Sequence, residues 1–548
     1  MVTVFQQLAA AAETHPDQTF LRWDPPDRAQ RAVHTYADEY RLACGAAAAL
    51  RRAGARPGAR VAVALPNGPD LIRIWFATAA LGAVLVPLDP RLTEVELAAL
   101  LRQAGIDLAV LRPEQAGLAA AGTRVLPLGT DTGGLRPGWA PAADQPPVRP
   151  CGDGRVPAAV LFTSGSTGRP KGCVISHDSL TVPAGPVAAR LGITAADVLL
   201  HVLPLHHMAG LSFLATAVGS GATVALRPRF SGRRFWADAA ASGATVFRHL
   251  GEMLAVLCQQ SAAPPPHRLR LVYGGGASAA AARFAERFGV PAVEGYGLSE
   301  TNTVLCGSPG PGGTSSAGLG TLGEPLPHVA IRLVEPGGGV LSGAGAGELQ
   351  LHRNPALMLG YLAAPEATAA AFDGPWFRTG DMVRRDESGT LRFAGRLVEV
   401  IRRRGENIDP TEIERAVESC PGVRRAAVIA VPAPGTDGTD LGVEIQVFVQ
   451  PDAGRAVSAA AVRARCAKVL APFKQPRYVS VVDRLPLTGT HKVDKTALRA
   501  LAAAGPVPAG PVPAGPVPAG PVPAGPAPAG PVLAGPVAVG PGRSEAGR

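Results

Sequence analysis

A chain of 548 residues, 47% apolar and 18% charged, is too long for one small module, and at about 100–200 residues a domain it predicts two or three domains. The apolar content excludes a chain that is disordered throughout, because such chains cannot cover a core. The net charge of +10 comes mostly from arginines spread along the chain, so nucleic acid is not predicted as a partner.

Short β-branched runs alternate with helical patterns along the first 395 residues. Strands are predicted at residues 60–65, 83–87, 108–111, 158–162, 222–226 and 270–273, and helices at residues 94–104, 234–242 and 279–288. The apolar stretch at 74–88 predicts a buried helix followed by a buried strand. This alternation favours an α/β fold in which a large N-terminal domain, residues 1–395, has β-sheets flanked by helices.

A smaller α+β domain is predicted at residues 396–503. Its helices are expected at 411–419 and 458–469, and its strands at 426–431, 443–449 and 478–482. From residue 504 to 548 the chain is dominated by GPVPA-type repeats. Frequent prolines remove backbone donors and fix φ, so this segment is predicted to be a disordered Pro/Gly-rich tail.

The cysteines and the apolar segments predict a cytoplasmic protein. The N-terminus lacks the basic start of a signal peptide, and the apolar stretch at 74–88, interrupted by Gly82 and Pro87, is too short to span a bilayer. The wide cysteine spacing is typical of a reducing compartment and argues against a disulfide scaffold or a zinc site. The seven cysteines are Cys44, Cys151, Cys173, Cys258, Cys306, Cys420 and Cys466.

The strongest chemical signal is the segment LFTSGSTGRPKG at residues 161–172. Glycines let backbone N–H groups approach a phosphate, hydroxyls add donors, and Lys171 adds positive charge. The spacing differs from that of a Walker A loop, because Arg-Pro-Lys follows the last glycine of the SGSTG run. The segment predicts phosphate binding by Thr163, Ser164, Gly165, Ser166, Thr167 and Gly168.

Other patterns do not support other activities. The run GLGTLG at 318–323 fits GxGxxG, but Pro325 and Pro327 follow, so no helix can open there and a dinucleotide site is not predicted. There is no GxSxG elbow, so a serine hydrolase is unsupported. His206 and His207 have no third ligand at metal spacing in the sequence.

Further motifs follow the phosphate-binding segment in a fixed order. They are GGGAS at 274–278, EGYGLSET at 294–301, GEL at 347–349, WFRTGD at 376–381, GENIDPTEIE at 405–414 and LTGTHKVDK at 487–495. Together they resemble the adenylate-forming, or AMP-binding, superfamily, of the acyl-CoA synthetase type. The block at 230–246 looks most like that of crotonobetaine/carnitine-CoA-ligase members. The resemblance covers about residues 1–500.

The resemblance implies ATP-dependent activation of a small carboxylic acid to an acyl-adenylate, followed by thioester formation with CoA. ATP, Mg²⁺ and CoA are the implied cofactor and co-substrates, and the small domain is expected to move between the two steps. The implied catalytic residues are Lys492, Glu300 and Lys171, with Glu300 as the Mg²⁺ ligand. The implied nucleotide-binding residues also include Gly275, Gly276, Ala277, Tyr296, Gly297, Ser299, Asp381 and Arg396.

The acid pocket is expected to be lined by residues 208–213, 274–278 and 302–305. Its predicted residues are His207, which could act as a gate or be simply packed, and Met208, Ala209, Phe213 and Asn302, whose amide could meet a polar substituent. A short or aromatic acid fits this lining better than a long chain does. The identity of the acid and the oligomeric state are not readable from the sequence.

Two departures from the family pattern keep alternatives open. Val398 stands where relatives usually carry a polar hinge residue, and His491 replaces the usual glycine before the lysine. These changes motivate a second hypothesis, adenylation with a different acceptor, such as an amine or a carrier-protein thiol, or of an unusual acid such as nitrite. A third hypothesis is a non-catalytic binding module that keeps the fold.

Overall fold

The computed structural model describes residues 2–25, 31–128, 153–163, 170–261, 263–275, 278–309, 319–335, 337–396, 401–403, 406–433, 443–452, 454–486 and 493–503. All of them belong to one compact unit, residues 1–509. The predictions made at Ser164–Gly168, Gly276, Ala277, Val398, His491, Lys492 and the tail lie outside the described residues, as does the side chain of Arg396.

A seven-stranded sheet carries the predicted phosphate-binding segment. Its central strands are parallel, and the last two at one side run antiparallel. In order across the sheet they are β18 (Gly360–Tyr361), β8 (Lys171–Ser176), β7 (Pro157–Thr163), β4 (Val84–Pro87), β3 (Arg60–Val63), β5 (Leu108–Leu111) and β6 (Arg124–Pro127).

A nine-stranded sheet forms the second layer. Its central strands are parallel, and antiparallel pairs close both edges. In order they are β15 (Glu324–Pro325), β14 (Asn302–Cys306), β13 (Ala292–Leu298), β12 (Leu271–Gly275), β11 (Val246–Leu250), β9 (Val198–His201), β10 (Thr223–Leu226), β1 (Thr19–Trp23) and β2 (Ala32–Thr35).

Helices flank the two sheets. They are α1 (Val4–Thr14), α2 (Tyr36–Arg52), α3 (Pro69–Ala80), α4 (Glu94–Ala104), α5 (His177–Leu191), α6 (Met208–Ser220), α7 (Gly232–Ser242), α8 (Gly251–Cys258), α9 (Ser278–Phe288) and α10 (Pro365–Ala370). One continuous core contains residues from α3, α5 and α6 and from both sheets. Helix α3 is buried on nearly all sides, which explains why its sequence is apolar almost throughout.

A smaller antiparallel sheet completes the large domain. It consists of β16 (Ile331–Val334), β17 (Gly345–His352), β20 (Trp376–Arg385), β19 (Phe372–Asp373) and β21 (Leu391–Arg396). This sheet matters for the site because β20 carries Asp381, which lies opposite Arg396 in the register of β20 and β21.

The small domain is an α+β unit, as predicted. A three-stranded sheet, β24 (Val423–Pro432), β25 (Val443–Pro451) and β26 (Tyr478–Val481), packs with α11 (Pro410–Glu418), α12 (Ala459–Val469) and α13 (Lys495–Ala503). A hairpin, β22 (Ile401–Arg403) and β23 (Glu406–Ile408), precedes α11. The α/β fold class is therefore confirmed, whereas the domain boundaries stay a prediction. Among the described helices, none has the length and apolar character that crossing a bilayer requires.

Arg403 attaches the hairpin to the rest of the small domain. Its Nη1 donates hydrogen bonds to the carbonyl oxygens of Phe473 and Gln475, each at 2.9 Å. Its Nη2 pairs with Glu444, and Arg477 approaches the same carboxylate at 3.4 Å. The side chains of Arg403 and Glu444 are only 8% and 5% exposed, so this pair is removed from solvent screening.

We expect Glu444→Gln to destabilise the small domain by about 3 kcal/mol, because removing one partner of a buried ion pair leaves the other charge uncompensated. Hydrogen exchange in the full-length protein, followed over β22, β23 and β25, measures this loss. The control is Glu324→Gln, since the Glu324 side chain is 83% exposed where it meets Arg190, and surface pairs contribute little. Equal effects of the two changes would contradict the prediction.

Candidate functional site

The predicted phosphate-binding segment is the connection between two antiparallel strands. Thr163, the last residue of β7, lies opposite Lys171, the first residue of β8. The Thr163 hydroxyl donates to the Lys171 carbonyl oxygen at 3.4 Å. The two ends of the SGSTG segment are therefore held together in one sheet, and the Lys171 side chain begins where the segment rejoins it.

Glu300 and Lys171, predicted as catalytic from distant motifs, meet around one tyrosine. The Tyr361 hydroxyl donates to Glu300 Oε1 at 3.0 Å, and Lys171 Nζ lies 5.2 Å from the centroid of the Tyr361 ring. Burial, together with the Glu300 carboxylate, raises the pKa of Tyr361 above its usual range, so this hydroxyl stays protonated and keeps its hydrogen bond. The role of Tyr361 was not predicted from the sequence.

Ser299 and Glu300 stand at the tip of the tight hairpin between β13 and β14. A Cβ added at Gly297 would lie 2.0 Å from the Asn302 carbonyl oxygen, so only glycine allows the two strands to approach this closely. Asn302 itself has a φ of 55°, in the left-handed region that asparagine tolerates better than most residues. The hairpin thus fixes the position of the Glu300 carboxylate beside β8 and β18.

The Asn302 amide was predicted to meet a polar substituent of the acid. In the structure Nδ2 donates to the Ser179 carbonyl oxygen at 2.7 Å, and Oδ1 accepts from the Thr303 backbone N–H at 2.6 Å. The side chain is buried. The Nδ2 contact therefore ties the hairpin to α5 and the Oδ1 contact lies within the hairpin, while the role in substrate recognition stays a prediction.

Tyr296 and Asp381, predicted to hold the adenosine, are in direct contact. The Tyr296 hydroxyl donates to Asp381 Oδ2 at 2.7 Å, and Asp381 is almost fully buried. Gly275, at the end of β12, lies close to the neighbouring strand, because an added Cβ would be 2.7 Å from the Gly295 carbonyl oxygen. Arg396 lies opposite Asp381 in the sheet register. Four predicted nucleotide-binding residues therefore lie on neighbouring strands, namely Gly275, Tyr296, Asp381 and Arg396.

The residues predicted to line the acid pocket surround the start of α6. His207 is the residue preceding the helix, Met208 and Phe213 are buried, and Ala209 is partly buried. The Phe213 ring packs against the Tyr273 ring edge to face, with centroids 5.7 Å apart. Phe213 is therefore packed against β12, and its place in the acid pocket stays a prediction.

His207 is also the point where the small domain meets the large one. Its Nε2 lies 2.9 Å from Oε2 of Glu406 in β23, while Arg91 contacts the other oxygen of Glu406 and pairs with Asp89 at 2.7 Å. Glu406 is only 7% exposed. Burial opposes ionisation of Glu406, but His207 and Arg91 lower its pKa below the usual range. We call these four residues the interdomain cluster.

The neighbours of His207 correct one statement drawn from the sequence. His206, His207 and Glu406 place one ligand atom each within 4.8 Å of one another, so the third ligand that the sequence lacked is supplied by a residue some 200 positions later. His206 itself stays neutral, because burial and the neighbouring His207 lower its pKa to about 4.

A second contact joins the domains nearby. Lys474 Nζ lies 2.9 Å from Glu96 Oε1 in α4 and 2.7 Å from Glu412 Oε1 in α11. Arg91 stacks over the Phe473 ring, 4.8 Å from its centroid. One cation therefore bridges a carboxylate from each domain, and the hairpin side of the small domain is held against the large domain.

The His207–Glu406 contact is expected to depend on pH. Burial lowers the pKa of His207, but Glu406 and Asp89 raise it more, so the net pKa lies above the usual 6.5. The contribution of protonated His207 is complete below pH 6.5 and is lost as the pH rises through the raised value, whereas that of Glu406 is lost at low pH. Distance measurements between fluorophores on the two domains should show this arrangement weakening at alkaline pH.

In Glu406→Gln the same measurement should vary much less with pH, because the carboxylate that raises the pKa of His207 is gone. An unchanged alkaline transition in this variant would contradict the assignment to the pair.

Comparisons with known proteins show the family of this chain. The AMP-binding enzyme family model matches residues 8–362, more than half of the chain, and the AMP-binding enzyme C-terminal domain model matches residues 412–492. The chain is 33% identical over 475 residues to the feruloyl-CoA synthase of Amycolatopsis sp, covering 85% of this chain and 93% of that protein. The chain therefore belongs to the AMP-binding enzyme family. The narrower likeness to crotonobetaine/carnitine-CoA ligases stays a prediction.

Solved structures match nearly the whole chain. An o-succinylbenzoate CoA synthetase double mutant from Bacillus subtilis, bound with its product analogue OSB-NCoA, has a TM-score of 0.79 at 26% identity and covers 90% of this chain and 98% of its own. The amide bond synthetase McbA from Marinactinospora thermotolerans also has a TM-score of 0.79 at 26% identity, covering 91% and 99%. ATP-bound MatB from Rhodopseudomonas palustris has a TM-score of 0.65 at 28% identity, covering 91% and 99%.

Proposed function

We propose that this protein is an AMP-forming acid–CoA ligase. In the first step an oxygen of the substrate carboxylate attacks the α-phosphorus of ATP, the bond to the β-phosphate breaks, and pyrophosphate leaves. In the second step the sulfur of CoA attacks the acyl carbon, the bond to AMP breaks, and the thioester is formed. The observation that carries this proposal is the meeting of Lys171 and Glu300 around Tyr361, beside the SGSTG segment, in a member of the AMP-binding enzyme family.

Positioning and electrostatics do most of the work in such a reaction. Lys171 and the N–H groups of the SGSTG segment would face the phosphates, while Tyr296 and Asp381 would hold the base and the ribose. Glu300 offers a partly exposed carboxylate, which suits a largely hydrated Mg²⁺ that prefers hard oxygen ligands and few protein groups. Bound there, Mg²⁺ would offset the negative charge of the phosphates.

The second step is proposed to occur in the arrangement of domains described above, with the β22–β23 hairpin against His207. The higher TM-score with the CoA-analogue complex than with the ATP complex, at similar coverage and identity, supports this proposal. Lys492 would then face the acid and the α-phosphate only after the small domain turns. Closure of the hairpin over the site would also keep water from the anhydride.

An amine acceptor is the second candidate, and the match to an amide bond synthetase with a TM-score of 0.79 favours keeping it. An amide-forming reaction would share the adenylation step and differ only in the nucleophile of the second step.

For the acid–CoA ligase we also propose a cytoplasmic setting, which the wide cysteine spacing supports.

A pyrophosphate-release screen across carboxylic acids, with and without CoA and with mass analysis of products, tests the proposal. Release of pyrophosphate together with a CoA thioester is the expected result. Acid-dependent exchange of pyrophosphate with no thioester, but an amide when amines are added, would favour the second candidate. No exchange with any acid, with ATP still bound, would contradict both.

A further inference from the structure

Arg248 is a half-buried cation that no motif singled out. It lies on β11, and its guanidinium reaches across to two other elements. Nη1 donates to the Ala209 carbonyl oxygen at 3.1 Å and to the Ser212 hydroxyl at 2.5 Å, and Nη2 donates to the Thr303 hydroxyl at 3.3 Å. The guanidinium carbon lies 5.4 Å from the centroid of the Tyr273 ring.

These contacts place Arg248 where the three expected walls of the acid pocket meet. Ala209 and Ser212 belong to the α6 wall, Thr303 to the β14 wall, and Tyr273 precedes the glycines that end β12. Thr303 is also only three residues from Glu300. The guanidinium therefore lies beside the candidate catalytic hairpin and inside the lining predicted for the acid.

Hydrogen bonds to uncharged groups hold the Arg248 guanidinium. Over the described part of the chain, no carboxylate oxygen lies within 4.0 Å of its guanidinium nitrogens, and its hydrogen-bond partners are a carbonyl and two hydroxyls. Buried arginines elsewhere in the fold do face carboxylates, as Arg403 faces Glu444. A cation partly withdrawn from water without an anion beside it is unfavourable, so an anionic ligand that pairs with Arg248 would bind more tightly than an uncharged one.

We propose that Arg248 binds a second anionic group of the acid substrate, such as a carboxylate or a sulfonate, in addition to the carboxylate that is activated. This inference rests on the proposed function and narrows its substrate class to short acids with two anionic groups. The planar guanidinium fork suits an oxyanion, with which it makes paired, charge-assisted hydrogen bonds. The Thr303 hydroxyl stands beside it as a further donor, whereas the Ser212 hydroxyl donates to the Ala209 carbonyl oxygen at 3.4 Å.

The test compares acids matched in size that differ in the second group. Butanedioate and 3-sulfopropanoate are compared with 4-oxopentanoate, and benzene-1,4-dicarboxylate with 4-acetylbenzoate, by pyrophosphate release with CoA. The dianionic members are expected to have kcat/KM about a hundredfold higher, the scale of truncating one partner of a desolvated charge pair. The comparison of the carboxylate with the sulfonate shows which anion the site prefers.

Arg248→Met should lower kcat/KM for the dianionic acids about a hundredfold and leave kcat/KM for the monoanionic acids unchanged or improved. Arg248→Lys keeps the positive charge but not the planar, forked set of donors, so kcat/KM for the dianionic acids should fall less. This variant also keeps the inference testable if Arg248→Met does not fold. The matched control is Arg51→Met, at the exposed end of α2, which should leave the preference of the wild-type protein intact.

Three outcomes would overturn the inference. A wild-type preference for the monoanionic acids would do so while leaving the proposed function standing. An equal loss for both kinds of acid in Arg248→Met would assign the residue to the fold or to the reacting carboxylate. An absence of pyrophosphate release with every acid would overturn the inference and the proposed function together.

Discussion

Replacing Lys492 with alanine is expected to slow adenylate formation by about 10²–10³-fold, the range found when one donor that stabilises developing charge is removed. The reason is that the ammonium group would neutralise charge on the α-phosphate and carboxylate oxygens only in the first step. Thioester formation from supplied acyl-adenylate and CoA should therefore remain within a few-fold of the wild-type rate. Lys492 lies outside the described residues, so its role comes from the LTGTHKVDK motif.

The two half-reactions are measured separately, by ATP–pyrophosphate exchange and by consumption of synthetic acyl-adenylate. The control is Lys495→Ala, three residues further on, because Lys495 pairs with Glu414 within the small domain at 3.2 Å. This control should leave exchange nearly unchanged. A similar loss of both half-reactions in Lys492→Ala would contradict the proposal that Lys492 acts only in adenylate formation.

Local sequence signals predicted the secondary structure well where a helix or strand carries its own pattern. Helix α4 was expected at residues 94–104 and lies there, because its apolar spacing is regular and Thr93 and Glu96 form a capping box. The stretch at 74–88 was expected to form a buried helix and a buried strand, and it contains the end of α3 and all of β4. These signals depend on near neighbours, which a sequence shows directly.

The contacts that build the site could be predicted only in part. The order of the motifs suggested that Lys171 and Glu300 act together, and the structure brings them to one tyrosine. The motifs did not indicate Arg248, whose hydrogen-bond partners lie 36 to 55 residues away, or the partner of His207, which is 199 residues away. Such pairs are set by which loops meet at the edge of a sheet, and no local pattern encodes that.

The interdomain cluster also changes how the domain movement should be understood. Val398 stands where relatives usually carry a polar hinge residue, so it was the expected place for a change in this movement, and it lies outside the described residues. The contacts of Glu406 and Lys474 show a different source of bias, because each places a buried or half-buried charge from one domain against an opposite charge from the other. The hinge and these contacts can therefore be tested independently.

Glu406→Ala is expected to slow thioester formation from supplied acyl-adenylate by about a hundredfold, since truncating one partner of a buried charge pair typically costs 2–5 kcal/mol or more. The loss follows from removing the anion that His207 and Arg91 share across the domains. Adenylate formation, proposed to need the other arrangement of the small domain, should be unchanged or faster. Glu406→Gln keeps the shape and one acceptor, so its loss should be smaller.

Single-turnover measurements with acyl-adenylate and CoA give the thioester rate, and ATP–pyrophosphate exchange gives the adenylation rate. The matched control is Glu387→Ala, on an exposed turn of the large domain, which should change neither rate. The substitution lies in the small domain and not in the β13–β14 hairpin that carries Glu300. The decisive quantity is therefore the ratio of the thioester rate to the adenylation rate. If Glu406→Ala lowered both rates by the same factor, the contact would be structural and would not select the arrangement in which CoA reacts.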